Sequence, residues 1–269
     1  MHVVTEYPNG LFCWVDLNAK DQGVAKAFYR GLFGWDPVDT PMPDGGSYTN
    51  FMLNGRPVAG CGQMSEEMIA SGMPSAWNSM IKHDDAEAVM ARVPEAGGTV
   101  LMPAMDVMDQ GRFAMFQDPT GAVAGVWQPI NHTGAHYVNY PNTLVWNELS
   151  TKDPDQAASF YKAVFGWERL DDGNGYNMFS VDGRAQAGMV QMDESAGEMP
   201  PVWMPYFMVE DINASTEKAT ALGATVIMGP IDAGDMGKFV IVQDPQGAVS
   251  TIMQFSGPAD PPPGAPAPE

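Results

Sequence analysis

The chain has 269 residues, 45% of them hydrophobic, with 33 acidic side chains against 13 basic ones and a net charge of −20. That charge repels phosphate backbones and anionic lipid, which excludes nucleic acid and membrane surfaces as partners. No apolar run approaches the roughly 18 residues of a membrane span, and Cys13 and Cys61 are too few for a disulfide framework.

The opening MHVVTEYPNG has neither a cationic n-region nor an apolar h-region, so it does not read as a secretory signal. Together with two cysteines of the small, buried type, this gives the expectation of a soluble cytoplasmic protein. Predicted strands follow near 11–17, 48–53, 57–64, 75–82, 99–102, 112–117 and 122–128, with helices near 21–33 and 85–96. A polar connector without periodicity spans 131–142.

The same order then returns. Residues 144–149 read as a strand, Asp153 as a helix cap with Pro154 at the first helical position. Ala157, Phe160, Tyr161, Val164 and Phe165 make one apolar face, and Gly166 stops the helix. Strands at 176–181 and 185–192 flank Asp182-Gly183, a tight-turn dipeptide. A further strand begins near Trp167. The next unit has a strand at 203–209, a helix from Asp211 to about Leu222, and strands at 225–228, 238–242 and 248–254. The end of the chain, 257–269, is Pro-rich and predicted disordered.

The correspondence is residue by residue. Trp14, Leu17, Asp21, Phe28, Tyr29, Gly34 and Trp35 recur 132 positions later as Trp146, Leu149, Asp153, Phe160, Tyr161, Gly166 and Trp167. Gly55, Arg56, Gly60 and Gln63 recur after 128, as Gly183, Arg184, Gly188 and Gln191. Trp77, Gly111, Phe113, Asp118, Pro119 and Gly121 recur after 126, as Trp203, Gly237, Phe239, Asp244, Pro245 and Gly247. A period near 130 is a domain duplication, not a solenoid repeat. The domains are 1–130 and 143–256.

The W-x-[DE]-L strand, the D-x-x-x-A-x-x-F-Y-x-x-x-F-G-W helix and the D-P-x-G-A-V turn in each copy resemble the vicinal oxygen chelate superfamily. That group includes glyoxalase, bleomycin-resistance proteins, fosfomycin-resistance enzymes and extradiol dioxygenases. The resemblance implies an α+β fold: four βαβββ modules, paired into two cupped mixed sheets, each around a cavity. It also implies a metal ligand on the first and last strand of each module. Carried over, those positions fall at Trp14 and Trp146, Asn78 and Met204, Gln63 and Gln191, and Gly125 and Thr251. None is His, Asp or Glu, which predicts no metal cofactor, with a metal ion as the alternative. His132 and His136 lie in the connector and read as exposed.

Strand alternation puts Phe12, Trp14 and Asp16, and likewise Leu144, Trp146 and Glu148, on one face. If these acids point into the cups, desolvation raises their pKa and makes each a general acid or base; otherwise they accept backbone hydrogen bonds. Trp77 and Trp203 are expected to line the cavity or its rim, with core packing as the alternative, and Arg112 and Lys238 to receive an anionic group or form salt bridges. The leading functional expectation is metal-free binding of a small hydrophobic or aromatic molecule by a monomer or homodimer. The alternatives are a lyase, isomerase or dioxygenase-type enzyme using Glu148, Asp16 or an unrecognised metal site, and a degenerate scaffold for protein contacts.

Overall fold

The computed structural model describes residues 1–43, 45–171, 173, 176–193, 197–257 and 261–264. The first copy runs β1 (Phe12–Ala19), α1 (Gln22–Phe33), β2 (Asp36–Pro41), β3 (Ser47–Leu53), β4 (Arg56–Gln63), a short α2 (Glu66–Ala70), β5 (Ala76–Lys82), α3 (Ala86–Glu95), β6 (Thr99–Val107), β7 (Gly111–Gln117) and β8 (Val123–Pro129). The second runs β9 (Leu144–Thr151), α4 (Pro154–Phe165), β10 (Glu168–Asp171), β11 (Asn177–Val181), β12 (Arg184–Gln191), β13 (Val202–Met208), α5 (Ile212–Ala221), β14 (Thr225–Asp232), β15 (Gly237–Gln243) and β16 (Val249–Phe255). The sequence pattern did not signal α2 and ended β6 and β14 too early.

Local chemistry fixes the helix ends. Asp21, Asp85, Asp153 and Asp211 each accept backbone N–H groups of the first helical turn. Gly34 and Gly166 close α1 and α4 with φ of 74° and 73°, a left-handed conformation open to glycine. Each copy forms one eight-stranded sheet, ordered β2-β3-β4-β1-β5-β8-β7-β6 and β10-β11-β12-β9-β13-β16-β15-β14. Within a module the first and last strands are parallel; the two modules join antiparallel through β1–β5 and β9–β13.

The helix-bearing faces of the two sheets turn toward each other, with α1 beside α5 and α3 beside α4. One apolar core joins Leu17, Phe33 and Trp35 to Phe207 and Ile252. A second joins Ile81 and Phe116 to Leu149, Phe160 and Trp203. Both cores therefore cross between copies, and the two cups face outward. Bulges between Phe12 and Trp14, and at Leu144 opposite Phe207, break the alternation expected for the first strands. Phe12 consequently packs on Trp167 and Trp203 in the inter-copy core, away from Trp14.

The tail is placed where it is described: Pro262 and Pro263 are buried, and Arg184 donates to the Pro261 carbonyl. That corrects the expectation of disorder for 261–264; residues 258–260 and 265–269 lie outside the described residues. Among the described residues no helix is long and apolar enough to cross a membrane.

Candidate functional site

Each cup holds a repeated cluster of indole, phenol and carboxylate. In the first, Trp14 Nε1 donates to the Tyr48 hydroxyl at 3.0 Å, and that hydroxyl donates to Asp16 Oδ1 at 3.2 Å. In the second, Trp146 Nε1 donates to Tyr176 at 3.2 Å and Tyr176 to Glu148 Oε2 at 2.7 Å. Tyr206 adds a donation to Glu148 Oε1, also 2.7 Å. Burial raises the Asp16 pKa to about 7 against the opposing Tyr48 hydrogen bond. Burial also raises that of Glu148, with Tyr176 and Tyr206 pulling it back. Tyr48 and Tyr206 remain protonated donors, because burial and the adjacent carboxylates push their own pKa values up.

A glycine makes the cluster possible. Asp16 pairs across the sheet with Gly60, and Glu148 with Gly188. A Cβ on Gly60 would lie 1.8 Å from the Tyr48 hydroxyl, and one on Gly188 the same distance from that of Tyr176. Only a residue without a side chain lets each phenol reach across the strand to the acid.

Strand register also corrects the family-position alignment. Trp14 and Asn78 each stand seven residues before a helix-cap Asp. Asp16 is paired with Gly60 as Met80 is paired with Gly125. The last-strand positions in the cups are therefore Gly60 and Gly125, with Gly188 and Thr251 in the second copy. Gln63 lies at the strand end instead, accepting the Gln22 N–H and donating to the Lys20 carbonyl. Gln191 is exposed in a polar groove with Lys152 and Arg169. The corrected sets are Trp14, Gly60, Asn78 and Gly125, and Trp146, Gly188, Met204 and Thr251. They carry no carboxylate, imidazole or thiolate and do not fit the family's divalent metal. Among the described residues no group of three His, Cys, Asp or Glu side chains could hold one.

Other expected residues lie elsewhere. Trp77 and Trp203 are 6% and 2% exposed and sit in the inter-copy cores, donating to Tyr29 and Tyr161. Alternation along β5 and β13 turns them toward the helices, away from the cup. Asn78 and Met204 do share the cups, paired with Asp16 and Glu148. Arg112 forms ion pairs with Glu87 at 2.7 Å and Asp106 at 3.0 Å. Lys238 is exposed beside Gln254 on the outer strands. His132, expected at the surface, stacks edge-on against Trp14 with centroids 4.4 Å apart, and burial lowers its pKa to about 4. It covers the end of the first cup, where Trp14 is buried while Trp146 in the second is only half-buried.

Sequence reasoning missed the three tyrosines. Tyr48 and Tyr176 stand 128 apart, the offset of the surrounding repeat, and that recurrence was the available signal. Tyr206 corresponds to Met80 and leaves no repeat to read.

Two tandem cupped sheets of paired βαβββ modules, each with an indole–phenol–carboxylate cluster on its concave side, define a protein of the glyoxalase-fold class. The sequence model of the Glyoxalase/Bleomycin resistance protein/Dioxygenase superfamily matches residues 12–124 and 131–250, and the chain belongs to that superfamily. It is 42% identical over 255 residues to a Mycobacterium tuberculosis protein named "Putative glyoxylase CFP32", covering 93% of this chain and 97% of that one. It is 32% identical to the anthracycline biosynthesis protein DnrV of Streptomyces peucetius, over 94% of this chain and 96% of the relative. The fold is similar to that of the 2,3-dioxygenase LapB from Pseudomonas sp. KL28, with a TM-score of 0.64, 15% identity and 96% of both chains covered.

Proposed function

We propose that this chain binds a small planar aromatic molecule bearing phenolic hydroxyls in the cup of its second sheet, without a metal ion. The observation that carries the reading is the Glu148 carboxylate, held by two tyrosine hydroxyls at 2.7 Å beside a half-buried indole. The family's ligand positions around it offer no carboxylate, imidazole or thiolate for a divalent cation. Recognition then falls to the residues present: Trp146 stacks on a flat ring, Glu148 accepts from one ligand hydroxyl, and the Tyr206 oxygen, whose proton is given to Glu148, accepts from another. The resemblance to an anthracycline biosynthesis protein supports this ligand class, since anthracyclines are fused-ring quinones. The more open cup favours the second copy over the first.

The raised pKa values of Asp16 and Glu148 favour a second reading, a lyase or isomerase in which one of these acids moves a proton. Titration with 1,8-dihydroxyanthraquinone, followed by tryptophan fluorescence, tests the first. Quenching that saturates at one ligand per chain and is largely lost in Trp146→Phe is the expected result; absence of saturable quenching overturns it. Glu148→Gln separates the two readings. Binding alone predicts an affinity loss of roughly fivefold, about 1 kcal/mol for one hydrogen bond. Catalysis predicts a fall in turnover of about 100-fold or more.

A further inference from the structure

The two copies differ at one end of their cups. In the first, the chain leaving β8 turns back across the sheet. Ala135 N–H donates to the Cys13 carbonyl and His136 N–H to the Pro57 carbonyl, both at 2.8 Å, above the buried Val58. In the second copy the matching place is a cavity of about 210 Å³, bordered by Trp146, Asn147, Gln186, Phe12, Leu144 and Phe255.

Sequence differences between the copies account for it. At the offsets of the repeat, Gln186 replaces Val58, while Pro261 and Pro262 replace Ala135 and His136. Proline has no N–H, so the tail cannot lie along β9 and β12 as the connector lies along β1 and β4. Its Pro261 carbonyl is held by Arg184, and Pro263 forms one wall. Both Nε2 and Oε1 of Gln186 are buried with no hydrogen-bond partner among the described residues. A donor and an acceptor thus stand side by side, unsatisfied, at a cavity bordered by aromatic rings and by the polar Asn147 and Arg184, an arrangement costly to keep without a ligand.

We propose that this cavity is a binding site for a small flat primary carboxamide. The ligand carbonyl accepts from Gln186 Nε2, its own N–H donates to Gln186 Oε1, and its ring lies among Phe12, Trp146 and Phe255. Reversing the Gln186 amide leaves this two-bond pairing intact. A carboxylate would set its charge against Oε1, and the one cation at the cavity among the described residues, Arg184, is engaged with the Pro261 carbonyl. The volume exceeds the roughly 150 Å³ of a cavity that admits benzene and suits one substituted ring. The site is separate from the carboxylate cluster: Trp146 borders both, but Glu148 is not among the residues around the cavity.

Calorimetric titration of the full chain with benzamide, acetophenone and benzoate tests it. Benzamide should saturate at one per chain and bind about tenfold tighter than acetophenone, which lacks the N–H, and tighter than benzoate. Gln186→Leu, which makes the wall apolar as Val58 does, should erase the preference over acetophenone. Gln186→Glu, of the same shape but with acceptors only, should also weaken benzamide at neutral pH. Glu148→Gln should leave benzamide affinity within twofold, so that failure here and failure of the cup reading are told apart. No saturable benzamide binding, equal affinity for acetophenone, tighter binding of benzoate, or full benzamide affinity in a folded Gln186→Leu would each overturn the proposal.

Discussion

The Tyr29 hydroxyl donates to Asp244 Oδ2 at 3.1 Å, joining α1 of one copy to the β15–β16 turn of the other. Tyr161 and Asp118 repeat the contact in the opposite sense at 3.0 Å. Each tyrosine also accepts an indole N–H, from Trp77 at 3.0 Å and from Trp203 at 2.6 Å. Trp35 and Trp167 complete the exchange, donating to the carbonyls of Asn142 and Gly10, which precede the first strand of the opposite copy. The copies are locked by a two-fold set of buried polar contacts within aromatic cores.

Tyr29→Phe removes the donor to a buried carboxylate and the acceptor of a buried indole at once. Leaving such groups unsatisfied costs about 1–3 kcal/mol each, so the variant should lose roughly 2 kcal/mol or more. Tyr161→Phe should lose a similar amount. Urea unfolding checks both; an unchanged midpoint in either would show that the hydroxyl contributes nothing to the lock.

The same contacts explain what was legible in the sequence. Periodicity, the Asp caps and the Gly stops gave the elements, and the duplication gave the two sheets, because these signals are local or repeated. Most of the recurring aromatics, however, serve the contact between copies, which is why Trp77 and Trp203 were misplaced in the cup. A repeat marks residues doing the same job twice without saying on which face. The orientation of Trp14 and Asp16 followed from alternation, but bulges hid the departure of Phe12. Register, which only the paired strands reveal, moved the last-strand positions from Gln63 and Gln191 to Gly60 and Gly188.

Those positions lead to a prediction about metal. With Trp, Gly, Asn, Met and Thr at all eight, protein exposed to excess nickel, zinc or manganese and then dialysed should retain well under one ion per chain. Elemental analysis showing about one ion per sheet would contradict the donor chemistry and revive a metal-dependent reaction.

Asp16 should make stability depend on pH. Its folded-state pKa is raised from 3.8 to about 7, so the folded chain holds the proton more tightly than the unfolded chain. Stability is therefore greatest below about pH 4 with respect to this group and falls as pH rises toward 7. Asp16→Asn keeps an acceptor for Tyr48 without the buried charge. It should raise the melting temperature at pH 8, with the gain shrinking to near zero by pH 4. A gain independent of pH would mean that the charge is not the cause.

Gly188→Ala isolates the tyrosine clamp on Glu148. The new Cβ would lie 1.8 Å from the Tyr176 hydroxyl and 2.8 Å from Trp146 Nε1, so the phenol must withdraw and its 2.7 Å donation to Glu148 Oε2 is lost. Tyr206 still holds Oε1. Because the Tyr176 bond favours the charged carboxylate, its loss lets burial push the Glu148 pKa further up. Carboxyl-carbon NMR on the variant should show Glu148 titrating at higher pH than in the parent. Tyr176→Phe should reproduce the shift without the added methyl, and adding Tyr206→Phe should raise it again. If Gly188→Ala shifts the titration and Tyr176→Phe does not, the glycine acts through Trp146, and the phenol is not what holds the acid in its charged form.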